Sequence, residues 1–165
     1  MLTISQVSTP RQIDAIRSLI REFTGWATRV TDDSDHAPAF DDLEQYLANL
    51  PGEFSPPGGC LLLATADDEP AGCVAFWAVG DGTVELKRLY VRPRHRGKKI
   101  GAHLMATLIA EAKARKQSRI VLDTYYTMTA AHALYRNVGF RVTDAPRDFP
   151  EQWKSRVVFM ELPLA

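Results

Sequence analysis

The stretch Thr83 to Ala112, TVELKRLYVRPRHRGKKIGAHLMATLIAEA, constrains the fold more than any other part of the chain. Its first part, TVELKRLYV, is apolar, aromatic and β-branched, follows an Asp81-Gly82 turn and is stopped by Arg92-Pro93, so it reads as a strand. From Ile100 the apolar residues Leu104, Met105, Leu108, Ile109 and Ala112 recur on one face of a helix. Between them lies the basic loop RPRHRGKKIG. Seven of the chain's 20 Lys and Arg residues fall between Lys87 and Lys99, although the net formal charge is zero. A helix N-terminus that follows a strand offers unpartnered N–H groups and a dipole that favours anions. The residues therefore predict a phosphate site for a ligand with more than one phosphate, or else a solvated basic loop.

The segment Arg96-Gly97-Lys98-Lys99-Ile100-Gly101, placed after ELKRLYVRP, resembles the acyl-CoA motif of the GNAT-type N-acetyltransferases, Arg/Gln-x-x-Gly-x-Gly/Ala. A second block, Ala131 to Phe140 (AHALYRNVGF), is similar to that superfamily's later Leu-Tyr-x-x-x-Gly-Phe motif. The two occur in the family's order with one predicted strand between them. Two positions depart from the pattern. Lys99 stands where it usually has its first Gly, and Met128 where many members have an Asn. A Lys still offers its backbone N–H, but its side chain limits a pyrophosphate's approach if the backbone needs a positive φ.

The order of elements agrees with the resemblance. Leu2 to Val7 reads as a strand, and Thr9-Pro10-Arg11-Gln12 as a capped helix start that carries the stripe Ile13, Ile16, Leu19, Ile20, Phe23 and ends at Gly25. Trp26 to Ala39 reads as a loop. Phe40, Leu43, Leu47 and Leu50 form a second helix ended by Pro51-Gly52. Asp32, Asp33, Asp35, Asp41, Asp42 and Glu44 cluster there, with Asp41 and Asp42 placed to cap that helix or to attract a cationic amine. Cys60–Ala66 and Ala71–Val79 form a hairpin, and Arg119–Asp123 a strand parallel to the central one. Thr127–Val138 is a last helix, and the strands from Phe140 and Val157 close the sheet around a loop that carries Phe149 and Trp153.

The expected fold is α/β (α+β), the GNAT-type acyl-CoA N-acyltransferase fold, with a mixed central sheet of about seven strands flanked by four helices in one domain spanning 1–165. Length and an apolar fraction of 45% suit a single core, and no run is long enough to cross a membrane. Two cysteines inside apolar runs and an N-terminus without signal-peptide character predict buried thiols and a cytoplasmic location. The four histidines show no ligand spacing, so no metal site is expected.

The resemblance implies acetyl transfer from acetyl-CoA to a primary amine of a small or amino-acid-like acceptor, directly within a ternary complex. It places the pantetheine on the backbone of Leu89 and Val91 around Tyr90, and the pyrophosphate on the amides from Arg96 through Gly97, Lys98, Lys99 and Ile100 to Gly101. Arg94, Arg96 and Lys98 would then meet phosphate oxygens, and the N–H of Leu89 the oxyanion. Glu85 is the candidate base, or alternatively a strand carboxylate paired with Lys87. Tyr135 matches the family's acid, or alternatively is a core tyrosine on an apolar stripe. Trp26, Arg29, Arg88, Asp123 and Thr124 border the acceptor's expected entry, with Arg88, Asp123 and Thr124 alternatively surface charges or strand-end caps. A CoA-binding module without catalysis and a nucleic-acid-binding domain are the competing functions. Zero net charge and the lack of interleaved aromatics other than Tyr90 argue against the second. The last strand and the Trp153 loop offer a homodimer surface.

Overall fold

The computed structural model describes residues 1–31 and 42–164. Within them the order is β1 (Leu2–Gln6), α1 (Pro10–Thr31), α2 (Leu43–Ala48), β2 (Cys60–Ala66), β3 (Glu69–Gly80), β4 (Thr83–Val91), α3 (Ile100–Ala114), β5 (Arg119–Tyr125), α4 (Thr129–Asn137), β6 (Arg141–Thr143) and β7 (Val157–Pro163). The strands form one sheet ordered β1-β2-β3-β4-β5-β7-β6. All neighbours are antiparallel except β4 and β5, which run parallel on either side of the α3 crossover. This is the mixed seven-stranded sheet that the sequence predicts.

Strand alternation divides the core into two layers. Cys60, Leu62, Ala64, Val74, Phe76, Val84 and Leu86 pack with Leu104, Met105 and Leu108 of α3. Leu61, Leu63, Cys73 and Ala75 face the other way, onto Ile16, Leu19 and Ile20 of α1 and Leu47 of α2. No helix among the described residues is long and apolar enough to cross a membrane.

The start of α1 is a capping box. The Thr9 N–H donates to Gln12 Oε1 (3.1 Å) and the Gln12 N–H donates to Thr9 Oγ1 (3.2 Å). The end of α1 corrects the sequence reading, because the helix passes through Gly25 and continues to Thr31. Gly lowers helix propensity by about 1 kcal/mol, and packing overrides it here. Ala27 is fully buried, and the Trp26 ring meets Phe23 (6.2 Å) and Tyr90 (6.4 Å). The predicted loop from Trp26 thus begins as helix, and its remainder, with Phe40 and Asp41, lies outside the described residues.

Asp42 occupies the N-cap position of α2, yet at φ 55° it makes no side-chain cap bond. Glu44 pairs with Arg21 of α1 at 3.1 Å, and that guanidinium holds its carboxyl below the usual range. The helix ends at Asn49, just before the predicted Pro51.

Candidate active site

The sheet opens where its parallel pair separates. β4 and β5 pair only from Thr83↔Arg119 to Glu85↔Val121, whereas β5 stays paired with β7 up to Tyr125↔Val157. Beyond Glu85 the β4 edge facing β5 has left its partner, and a cavity of about 890 Å³ fills the opening. Leu86 to Val91 form one wall and Asp123, Thr124 and Tyr125 of β5 the opposite one. An unpaired strand edge is a template for another extended chain with amide groups.

The end of the cavity near α3 is built by the basic loop. After the turn at Pro93–His95, Gly97 takes φ 78° and Lys99 takes φ 62° before α3 begins. Left-handed residues in such a loop turn successive N–H groups into an anion-binding concavity, here at the N-terminus of a 15-residue helix. Gly97 has open space around it, so its backbone conformation is what requires glycine. At Gly101 space is the limit, because an added Cβ would stand 3.1 Å from Leu134 Cδ2 of α4.

Much of the strip's positive charge is already engaged. Arg92 donates to the Glu22 carboxylate (2.7 Å) and to the Pro70 carbonyl (2.8 Å). Arg94 pairs with Glu69 (2.9 Å) and lies outside the cavity lining. Arg96 lines the cavity, but its guanidinium sits over Trp26 (5.1 Å) and Tyr90 (5.9 Å) while its Nε donates to the Val91 carbonyl (3.0 Å). Arg96 therefore braces the loop against α1 and the end of β4. Lys99 reaches the lining and Lys98 does not.

The other end of the cavity carries opposite charges. β4 holds an extra residue between the pairs Ala75↔Lys87 and Cys73↔Tyr90, and Arg88 adopts φ 59° in this bulge. Its Nε donates to the Tyr46 hydroxyl of α2 (3.1 Å), and its guanidinium lies 4.6 Å from that ring's centre. The Lys87 ammonium pairs with Glu85 (2.5 Å) and stands 4.0 Å from Asp123 Oδ1. Glu85 lies outside the lining, tied to Asp123 through Lys87, so the pairing with Lys87 considered above is present. Tyr135 lines the cavity on α4. Burial, and secondarily the Asp123 charge, push its phenol well above the ordinary value.

The chain that builds this strand-edge cavity, with the basic RGKKIG loop, Asp123 and Tyr135 around it, has known relatives. The family model described as acetyltransferase (GNAT) family covers residues 14–140. The chain belongs to this GNAT family. It is 34% identical over 145 residues to an uncharacterized N-acetyltransferase of Schizosaccharomyces pombe, covering 87% of this chain and 85% of that one. It is 40% identical over 101 residues to N-acetylaspartate synthetase of Homo sapiens, spanning 61% of this chain and only 32% of that protein. The crystal structure of the PaiA N-acetyltransferase from Thermoplasma acidophilum, in complex with coenzyme A, shares the fold with a TM-score of 0.76 at 19% identity, covering 99% of each chain. Membership makes the chain an acetyl-CoA-dependent N-acetyltransferase.

Of the expected GNAT cosubstrate residues, Leu89, Tyr90, Val91, Arg96, Gly97 and Lys99 line the cavity, as do Ile100 and Gly101, whereas Arg94 and Lys98 do not. Of the acceptor residues, Trp26, Arg88, Asp123 and Thr124 line it, and Arg29 stays on the exposed side of α1. Sequence reasoning missed the wall formed by Phe149, Pro150 and Trp153, which the β6–β7 connection folds over the opening. The only sequence signal was aromatic residues in an otherwise polar loop. Met128, at the position of the family's Asn, caps α4 without a side-chain bond and faces the cavity.

Neither cysteine offers a nucleophile. Cys60 and Cys73 are buried, and burial pushes both thiols up to about 12. The Cys73 Sγ–H donates to the Arg88 carbonyl. Among the described residues no group of three metal-ligating side chains comes together.

Lys99 yields a direct test. A left-handed residue with a Cβ is disfavoured by about 1–2 kcal/mol, and glycine's greater unfolded freedom offsets roughly 0.5–1 of that. Lys99→Gly should therefore raise unfolding stability by about 0.5 kcal/mol in urea titration; a loss of about 1 kcal/mol would mean that the side chain, not the backbone, holds the loop.

Proposed function

We propose that this chain moves the acetyl group of acetyl-CoA to the primary amine of a small, amino-acid-like acceptor by direct transfer in a ternary complex. The carrying observation is the opened β4 edge, with an anion loop at one end and a carboxylate and a buried phenol at the other. The pantetheine amides pair with the backbone of Leu89 and Val91, and the pyrophosphate rests on the N–H groups from Gly97 to Gly101. The name of the human relative supports an amino-acid acceptor.

An amine of pKa near ~10 is mostly protonated at neutral pH and must shed a proton to attack. Asp123, on the cavity wall, takes that proton, with Glu85 one ion pair behind it. The amine lone pair forms the N–C bond and the carbonyl electrons move to oxygen, which the Leu89 N–H stabilises. Collapse restores the carbonyl and breaks C–S. The thiolate receives the Tyr135 proton, which burial has kept on the phenol, and the second proton of the attacking nitrogen leaves as the amide forms and restores that phenol. The un-ionised, buried thiols support direct transfer over an acetyl-cysteine intermediate.

Thermal unfolding with acetyl-CoA, followed by amine-dependent thiol release, tests this reading. Ligand at one hundred times its dissociation constant adds roughly 2.7 kcal/mol. No shift at millimolar acetyl-CoA would remove the cosubstrate, and a shift without release on any amine would leave a CoA-binding module. Mass spectrometry of protein held with acetyl-CoA alone should show no acetylated enzyme if transfer is direct.

A further inference from the structure

The cavity wall opposite β4 continues past Asp123 into residues that the transfer itself does not use. Residues facing one another across an antiparallel pair point to the same side of the sheet, so Asp123 shares a side with Phe159, and Tyr125 with Val157. The Phe149 ring stands edge-on to Phe159 at 4.8 Å, which puts it beside the strand pair that carries the Asp123 carboxylate. Two backbone hydrogen bonds gather further side chains there. The Tyr126 N–H donates to the Arg156 carbonyl (3.0 Å) and ties the turn Glu151–Arg156, with Trp153 on it, to the end of β5. The Met128 N–H donates to the Tyr125 carbonyl (3.0 Å) and brings the start of α4 to the same place.

Phe149, Trp153, Val157 and Met128 all line the cavity, and none carries a charge. Phe149 and Trp153 are only half-buried, in a connection that is mostly polar. The Arg156 guanidinium, 5.1 Å from the Trp153 ring centre, braces that ring. Met128 stands where many members of the family have an Asn, so no amide interrupts the wall. Apolar surface gathered beside one placed charge favours a ligand with the same division, and aromatic rings meet best edge to face or offset. From Asp123 to Tyr125 the strand advances about 7 Å, close to the distance from an ammonium across a short alkyl link to a ring.

We infer that the wall of Phe149, Trp153, Val157 and Met128 seats an aromatic group of the acceptor while Asp123 meets its ammonium, so that the acceptor is a primary amine joined by a short link to a ring. This rests on the acetyltransferase reading above and narrows its acceptor.

The test compares matched pairs at saturating acetyl-CoA, phenylalanine with alanine and 2-phenylethylamine with ethylamine. The aromatic member should have a kcat/KM about 50-fold higher, the order expected for a buried ring. Trp153→Ala and Phe149→Ala should each lower that ratio about 10-fold, and Met128→Asn about 5-fold. The ratio is the readout because a merely structural loss lowers both members of a pair alike. Binding is read separately: with CoA bound, 2-phenylethylamine should raise the melting temperature further and ethylamine should not.

A preference in either pair that the wall variants diminish supports the inference, and the pair that shows it tells an arylalkylamine from an aromatic amino acid. Equal use of both members in both pairs, or ratios that all three variants leave unchanged, would overturn the inference and leave acetyl transfer standing. An added thermal shift from 2-phenylethylamine, with no thiol released from acetyl-CoA by any of the four compounds, would instead overturn the acetyltransferase reading and leave the ring-binding wall in place.

Discussion

Asp123→Asn should lower kcat/KM by about 10³-fold while leaving the acetyl-CoA-induced thermal shift in place. General bases contribute roughly 10²–10⁴-fold, and Asn keeps the shape of Asp while losing its ability to take a proton. The position sits on β5, whose full pairing with β7 holds it, and it lines the cavity wall facing β4. Glu85→Gln is the informative partner. Glu85 lies outside the lining and reaches Asp123 only through Lys87, so its loss should reduce kcat/KM by about 10-fold or less. If the two variants exchange these magnitudes, the proton passes to Glu85 and Asp123 serves only to hold the ammonium.

Tyr135→Phe should reduce kcat by about 100-fold, the lower range for loss of a general acid. The ring would remain in the core against Phe140 (5.7 Å), so stability should change by only about 1 kcal/mol, the net worth of one hydroxyl interaction. A thioester with a more acidic leaving thiol should narrow the difference between Tyr and Phe, because such a thiolate needs less help to depart. Unchanged kcat with reduced stability would assign Tyr135 to the core alone. Its raised pKa sets the sign of one further dependence. The neutral phenol is favoured in the folded state, so its stabilising contribution is complete below the ordinary tyrosine value and is lost as pH rises through the raised one.

Sequence periodicity recovers the elements where side-chain pattern and packing agree. The strand–loop–helix from Thr83, the capping box at Thr9 and Gln12, and the buried face of α3 are all local statements, and all stand in the fold. The reading fails where tertiary contacts override local preference. Gly25 looks like a helix end, yet the Trp26–Tyr90 contact and the burial of Ala27 carry α1 two turns further. The basic strip reads as uniformly positive along the chain, yet Glu22 and Glu69, remote in sequence, engage Arg92 and Arg94.

By itself the sequence determined the order of elements, the basic loop before α3 and the family, because each rests on residues close together along the chain. Only the tertiary structure decided which charges face the opening, since that depends on three non-local events. β4 leaves β5 after Glu85, a single extra residue turns Arg88 out of register, and the Phe149–Trp153 segment folds over the gap. A strand's period of two assigns faces only while the register holds, so a bulge that no local pattern announces can redirect a functional side chain without leaving a trace in the sequence.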